Sequence, residues 1–183
     1  MQAEYPDQPL CYWCQDETHL GLRTIRGKRL TAKGVKPICP VQWPRQAFWL
    51  YGLVSPASGA AFFYEYSHLD ADCFEHFLQQ FAQTFPDRLN VIQLDQAAAH
   101  RAHRIQIPDN IILLLQPPHS PELNPIERLW QDLKADLRGL NFLDLDQLRQ
   151  ASTEILQAMM PDWIQSLTQF PFIMRALSDA QLT

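Results

Sequence analysis

The sequence predicts an α/β domain, a mixed five-stranded sheet flanked by helices. Three observations lead to it. Five apolar runs have strand length, at residues 10–15, 47–54, 60–66, 91–94 and 111–115. Segments opening near Asp70, Asn124 and Asp144 carry their apolar residues at helical spacing instead. The resulting order is strand, hairpin, helix, strand, strand, helices, which pairs the early strands antiparallel and the later ones parallel to the first across helical or extended crossovers.

The first strand, 10–15, is a run of aromatic and small residues that ends at Asp16-Glu17. From Leu20 to Arg45 glycine, proline and basic residues hide any period, and a connection of that length is usually functional or contains a hairpin that the pattern does not resolve. Ala47 to Val54 and Ala60 to Tyr66, joined through Ser-Pro-Ala-Ser-Gly, read as a hairpin. Asp70 can cap a helix with Phe74, Phe77, Leu78, Phe81 and Phe85 on one face, stopped by Pro86. The aliphatic runs 91–94 and 111–115 read as fully buried strands of a parallel sheet. Pro117, Pro118 and Pro121 stiffen the next connector, because proline fixes its own φ and disfavours helix before it.

Asn124-Pro125-Ile126-Glu127 has the pattern of a helix start, with an Asn cap, Pro in the first turn and a reciprocal Glu. Ile126, Leu129, Trp130, Leu133 and Leu137 form the buried stripe. Asp144 and Gln147 repeat the capping pattern before a helix through Leu148, Ile155 and Met159, ended by Pro161. A last short helix is expected to hold Trp163, Leu167 and Phe170. No repeat or linker divides the chain, so residues 1–183 are expected to form one domain, with its C-terminal helices over about 144–183.

Composition narrows the functional classes. A chain of 183 residues can bury about 70 % of its unfolded surface, and no apolar stretch approaches the ~20 residues of a membrane helix. Four cysteines, Cys11, Cys14, Cys39 and Cys73, are too few and scattered for a disulfide scaffold, which favours a reducing, cytoplasmic setting. Cys11 and Cys14 lie three apart in a strand and so face opposite ways, against a redox pair. The net charge of −5 disfavours phosphate binding, but its distribution does not. Between Thr18 and Tyr64 lie seven basic residues, Arg23, Arg26, Lys28, Arg29, Lys33, Lys36 and Arg45, and no acidic one, while the rest of the chain sums to −12. That segment is the candidate DNA-binding surface; the alternative is a solvated loop offsetting an acidic body.

Three acidic residues sit where shaped segments put them: Asp16 after the first strand, Asp95 after 91–94 and Glu127 opening a helix. Carboxylates on rigid elements can hold two divalent ions roughly 3.5–4 Å apart astride one phosphate. Alternation along a strand lets only one of Asp16 and Glu17 face such a site, and Asp16 is preferred. The duller reading of Glu127 is a capping-box residue worth about 1 kcal/mol. His100 and His103 share a helical face but lack further ligands at zinc spacing. Strand-end carboxylates on one edge of a mixed sheet match the ribonuclease-H-like fold.

The stretch 91–134 carries Leu-Asp-Gln-Ala-Ala-Ala-His at one end and Pro-Pro-His-Ser-Pro-Glu-Leu-Asn-Pro-Ile-Glu-Arg-Leu-Trp at the other. It resembles the catalytic core of bacterial insertion-sequence transposases related to mariner elements, which are DDE superfamily endonucleases. The resemblance covers residues 10–140 and is looser around Asp16. It implies that Asp16, Asp95 and Glu127 bind two catalytic Mg²⁺ (or Mn²⁺) ions, with Glu17, Gln96, His100, His119 and Asn124 as neighbours of the site. Gln96 stands where the family usually has Asn, and His119 where it usually has Tyr.

The implied activity is metal-dependent cleavage of element ends and strand transfer into target DNA. The implied partners are terminal inverted repeats, target DNA and a second copy of the chain bridging two ends, in a bacterial, nucleoid-associated setting. Only fifteen residues precede Asp16, so an N-terminal helix-turn-helix domain is expected to be absent, with recognition supplied by a separate or frameshift-fused partner. A protein of another class, an inactive or truncated remnant that binds DNA or assembles without cutting, is the competing reading.

Overall fold

A computed structural model describes residues 9–28, 30–96, 105–118 and 120–180. The strands are β1 (Leu10–Gly21), β2 (Ala47–Val54), β3 (Ala61–Tyr66), β4 (Leu89–Leu94) and β5 (Ile111–Leu115). The helices are α1 (Ala71–Thr84), α2 (Ile126–Asp136), α3 (Leu145–Ala158), α4 (Pro161–Thr168) and α5 (Pro171–Asp179), and a 3-10 turn, Pro121–Leu123, precedes α2. The five strands form one sheet in the order β3-β2-β1-β4-β5. β1 runs antiparallel to β2 and parallel to β4, as the hairpin and crossover pattern predicts.

Alternation along β1 gives the sheet two apolar faces. Trp13 packs with Phe74, Phe77, Leu78 and Phe81 of α1, all buried. Tyr12, Cys14 and Leu20 face the other way, onto Ile126, Leu129, Trp130 and Leu133 of α2 and the helices behind it. Each large apolar side chain buried here stabilises by about 1.5–3 kcal/mol. The Asp70 and Asp144 carboxylates cap α1 and α3, accepting from Cys73 N and Gln147 N, both at 2.9 Å. All four cysteines are free, and Cys11 and Cys14 pack on opposite faces of the sheet.

Four elements differ from expectation. β1 does not end at Asp16-Glu17 but continues to Gly21; its pairing with β4 stops at Cys14, while pairing with β2 carries on. Polar residues hid this extension, yet Thr18 and Leu20 are buried by β2 and α2. β5 is not a fully buried strand: it is the sheet edge, and Leu114 and Leu115 are exposed. The last helical segment divides at Pro171 into α4 and α5, with Ile164, Thr168 and Phe170 buried and Trp163 exposed.

The fourth difference lies at α2. Asn124 does not cap this helix with its side chain, and no side-chain cap forms there. Its Nδ2 instead donates to the Gln15 carbonyl of β1 at 2.8 Å. Segment 22–46 is irregular, as expected, and is tied down by Leu22 N donating to Gln46 O and by Gln42 bridging to Phe142. No helix among the described residues is long and apolar enough to cross a membrane.

Candidate active site

Parallel pairing sets two of the carboxylates side by side. Cys14 is level with Gln93 in the last rung between β1 and β4. Asp16 and Asp95 each lie two residues beyond that rung, Asp16 on the face that carries Tyr12 and Cys14. Beyond Leu94 the chain leaves the sheet, so a space opens between the continuing β1 and the segment after β4. Glu127 enters it from the first turn of α2. The cavity measures about 570 Å³ and is lined by Asp16, Asp95, Gln96, Gln116, Pro117, Pro118, Ser120, Pro121, Asn124 and Glu127.

Among the described residues no lysine or arginine lines that cavity. The Asp16 carboxyl is pushed up to about 8, chiefly because burial strips its water and then because Glu17, Glu127 and Asp95 add negative charge nearby. The Glu17 backbone N–H opposes the rise only in part. A wall of oxygen donors whose negative charges repel one another suits a hard divalent cation. Among the described residues, however, no three acidic, histidine or cysteine side chains stand close enough to grip one ion together.

Glu17 points away from the cavity. Its carboxylate accepts from Gln15 Nε2 at 2.8 Å, and its charge helps raise the Tyr51 phenol, which burial raises most, on the α1 side of the sheet. Gln96 lines the cavity and donates from Nε2 to the Gln116 carbonyl at 3.0 Å. Asn124 is buried in the wall, and its Oδ1 has no hydrogen-bond partner among the described residues. His100 and His119, with His103, lie outside the described residues.

Several residues that sequence reasoning passed over support the walls. The Trp130 indole N–H donates to Asp16 Oδ2 at 3.0 Å, although spacing marked Trp130 only as core. Gly52 of β2 sits opposite Asp16 and leaves room for that ring. Tyr12 donates to Gln93 Oε1, and Gln93 Nε2 donates to Gln116 Oε1 at 3.2 Å and to the Leu123 carbonyl at 3.1 Å. This network holds the proline-rich segment against the end of β4. A glutamine inside the apolar run Val-Ile-Gln-Leu was the available signal, since a buried amide needs partners.

The basic segment does not join the carboxylates. Arg23, Arg26, Lys28, Lys33 and Lys36 are exposed, and none lines the acidic cavity; Arg29 lies outside the described residues. Arg23 and Arg26 lie over the Trp43 ring at 5.2 and 5.4 Å from its centre. Arg26, Lys28 and Arg138 line a separate cavity of about 670 Å³.

Comparison with known proteins agrees with this architecture. The uncharacterized protein y4pE/y4sA of Sinorhizobium fredii (strain NBRC 101917 / NGR234) is 32 % identical over 102 residues, 55 % of this chain and 76 % of that protein. The Mos1 transposase paired-end complex with left transposon end matches 86 % of this chain and 51 % of that chain, at 14 % identity and a TM-score of 0.68. The Mos1 paired end complex with Mg matches 87 % of this chain and 51 % of that chain, at 16 % identity and 0.64. The chain thus spans about half the length of these solved transposase chains, and at such identity the likeness is one of fold, the ribonuclease-H-like fold. Residues 12–149 match the family described as DDE superfamily endonuclease, and the chain belongs to that family.

Proposed function

We propose that this chain is the catalytic domain of a DNA transposase that cleaves the ends of its element and joins them to target DNA, with Asp16, Asp95 and Glu127 as the metal-binding and catalytic residues. The observation that carries the reading is the convergence of these three carboxylates, from β1, the end of β4 and the start of α2, on a single cavity with no basic lining among the described residues. Two bound Mg²⁺ or Mn²⁺ ions would activate the attacking water or 3′ hydroxyl and stabilise the departing 3′ oxygen.

The chain's own residues do the rest. Asp16 of β1 and Asp95, which follows the end of β4, present oxygens from the sheet side, and Glu127 presents its own from α2. Trp130 holds one Asp16 oxygen, while Gln93 and Gln116 fix the proline-rich wall. The same pocket can serve cutting and joining, because the 3′ hydroxyl released by the first step is the nucleophile of the second. Exposed Lys28, Lys33 and Lys36, with Arg23 and Arg26, would track the phosphate backbone outside the cavity.

Terminal inverted repeats and target DNA are the substrates on this reading. End recognition comes from a helix-turn-helix unit, and a homodimer brings two ends together. Solved complexes of Mos1 with a transposon end, with Mn and with Mg support it. A nicking and strand-transfer assay on cognate element ends with Mg²⁺ or Mn²⁺ tests it. Asp16→Ala, Asp95→Ala and Glu127→Ala should each lose more than the ~10–100-fold typical of outer-shell changes. Cleavage indifferent to these substitutions would refute the assignment of the carboxylates, and DNA binding without any cleavage by the wild type would move the chain to the non-catalytic reading.

A further inference from the structure

Asp16 and Glu127 come from elements far apart in the chain, so their separation depends on how α2 lies on β1. Two side chains set that, three residues to either side of Glu127: Asn124 donates to the Gln15 carbonyl, and Trp130 donates to Asp16 Oδ2 at 3.0 Å. The indole is only 1 % exposed, so the bond forms where water competes little.

The ring occupies space that any other residue at position 52 would fill. Gly52 pairs with Asp16 across β1 and β2, and a Cβ there would come within 2.5 Å of Trp130 Cη2 and 3.1 Å of Ile126 Cδ1. Gly52 does not have a positive φ, so its backbone conformation does not call for glycine; the indole does.

We infer that Trp130 is a positioning residue for the metal site: its N–H holds Asp16 Oδ2 so that Oδ1 is presented to the cavity, and Gly52 exists to let the ring lie there. The inference rests on the assignment of Asp16 as a metal ligand. A carboxylate turns easily about its last torsion, which is broad and two-fold, and an unheld one would present either oxygen or both. A donor fixed to one oxygen selects a single presentation, as outer-shell partners do for metal-binding carboxylates. If the core needed only volume at this position, a ring without a donor would serve.

Mn²⁺ binding to the full chain, followed by electron paramagnetic resonance, tests the inference on wild type, Trp130→Phe, Gly52→Ala and Asp16→Asn, with melting temperatures in EDTA recorded for each. Trp130→Phe removes the donor and should weaken Mn²⁺ by about 10–100-fold. Gly52→Ala keeps the donor but displaces the ring, and should weaken it comparably. In wild type the Trp130 indole N–H resonance should shift on adding Mg²⁺, and Asp16→Asn should abolish the shift. Wild-type Mn²⁺ affinity in both Trp130→Phe and Gly52→Ala, with only melting temperature lowered, would make the indole a packing group and overturn the inference alone. Undiminished Mn²⁺ binding by Asp16→Asn would instead overturn the assignment of Asp16, and this inference with it. Should Trp130→Phe fail to fold, the wild-type resonance and Gly52→Ala decide.

Discussion

At the scale of single residues, Asp16 makes the chain's stability respond to pH in a way opposite to most paired carboxylates. Its folded pKa of about 8 lies above the ordinary 3.8, so between those values the folded protein keeps a proton that the unfolded chain has released. Stability from this group is complete below pH ~4 and is lost as pH rises through about 8. Each pKa unit is worth about 1.4 kcal/mol, and each kcal/mol moves the melting temperature by roughly 2–4 °C at this chain length. In EDTA, wild type should therefore lose several degrees relative to Asp16→Asn between pH 5 and 8. Mg²⁺ should recover the loss, most at the alkaline end, because binding displaces the proton. Parallel melting curves for the two proteins would disprove the shift. That only one of Asp16 and Glu17 can face the cavity was legible beforehand, because strand alternation is local. The indole that holds Asp16, 114 residues away, was not, since spacing along α2 shows a buried face but not what lies across it.

At the scale of elements, the start of α2 shows how a local pattern can be redirected by packing. Asn-Pro-Ile-Glu fits a capped helix, and Asp70 and Asp144 do cap theirs, because those caps need only neighbours in sequence. Asn124 is 3 % exposed and lies against β1, where the orphan it satisfies is a strand carbonyl instead of a helix N–H. The two roles predict different variants. A capping Asn can be replaced by Asp with little loss, whereas a buried donor to a carbonyl cannot, because the carboxylate would face an oxygen. Asn124→Asp and Asn124→Ala should both destabilise by about 1–3 kcal/mol, read from urea midpoints. An Asp variant as stable as wild type would restore the cap. By the same logic Asp70→Ala, which removes a formed cap, should cost about 1 kcal/mol. The extension of β1 past Asp16 escaped the sequence for a related reason: its burial comes from β2 and α2, not from its own apolar content.

At the scale of the whole molecule, the chain separates an acidic cavity from a basic segment, and the two are proposed to grip one DNA differently. Element order and the mix of antiparallel and parallel pairing were readable because they follow from apolar spacing and connection lengths; the path of segment 22–46 was not, because no period runs through it. Its exposed lysines are the cleanest probe of a phosphate contact. Arg23 and Arg26 stack on Trp43, so removing them would loosen the segment itself, whereas Lys28, Lys33 and Lys36 have exposed side chains on that segment. For duplex DNA each neutralised phosphate contributes about 0.9 to the slope of log affinity against log salt. The triple variant Lys28→Ala, Lys33→Ala, Lys36→Ala should lower that slope by up to about 2.7 and weaken binding without regard to sequence. Its Mn²⁺ affinity should match wild type, since none of these residues lines the carboxylate cavity. A salt slope unchanged in the triple variant would mean that the positive segment only offsets the acidic body, and that the phosphate backbone is held elsewhere.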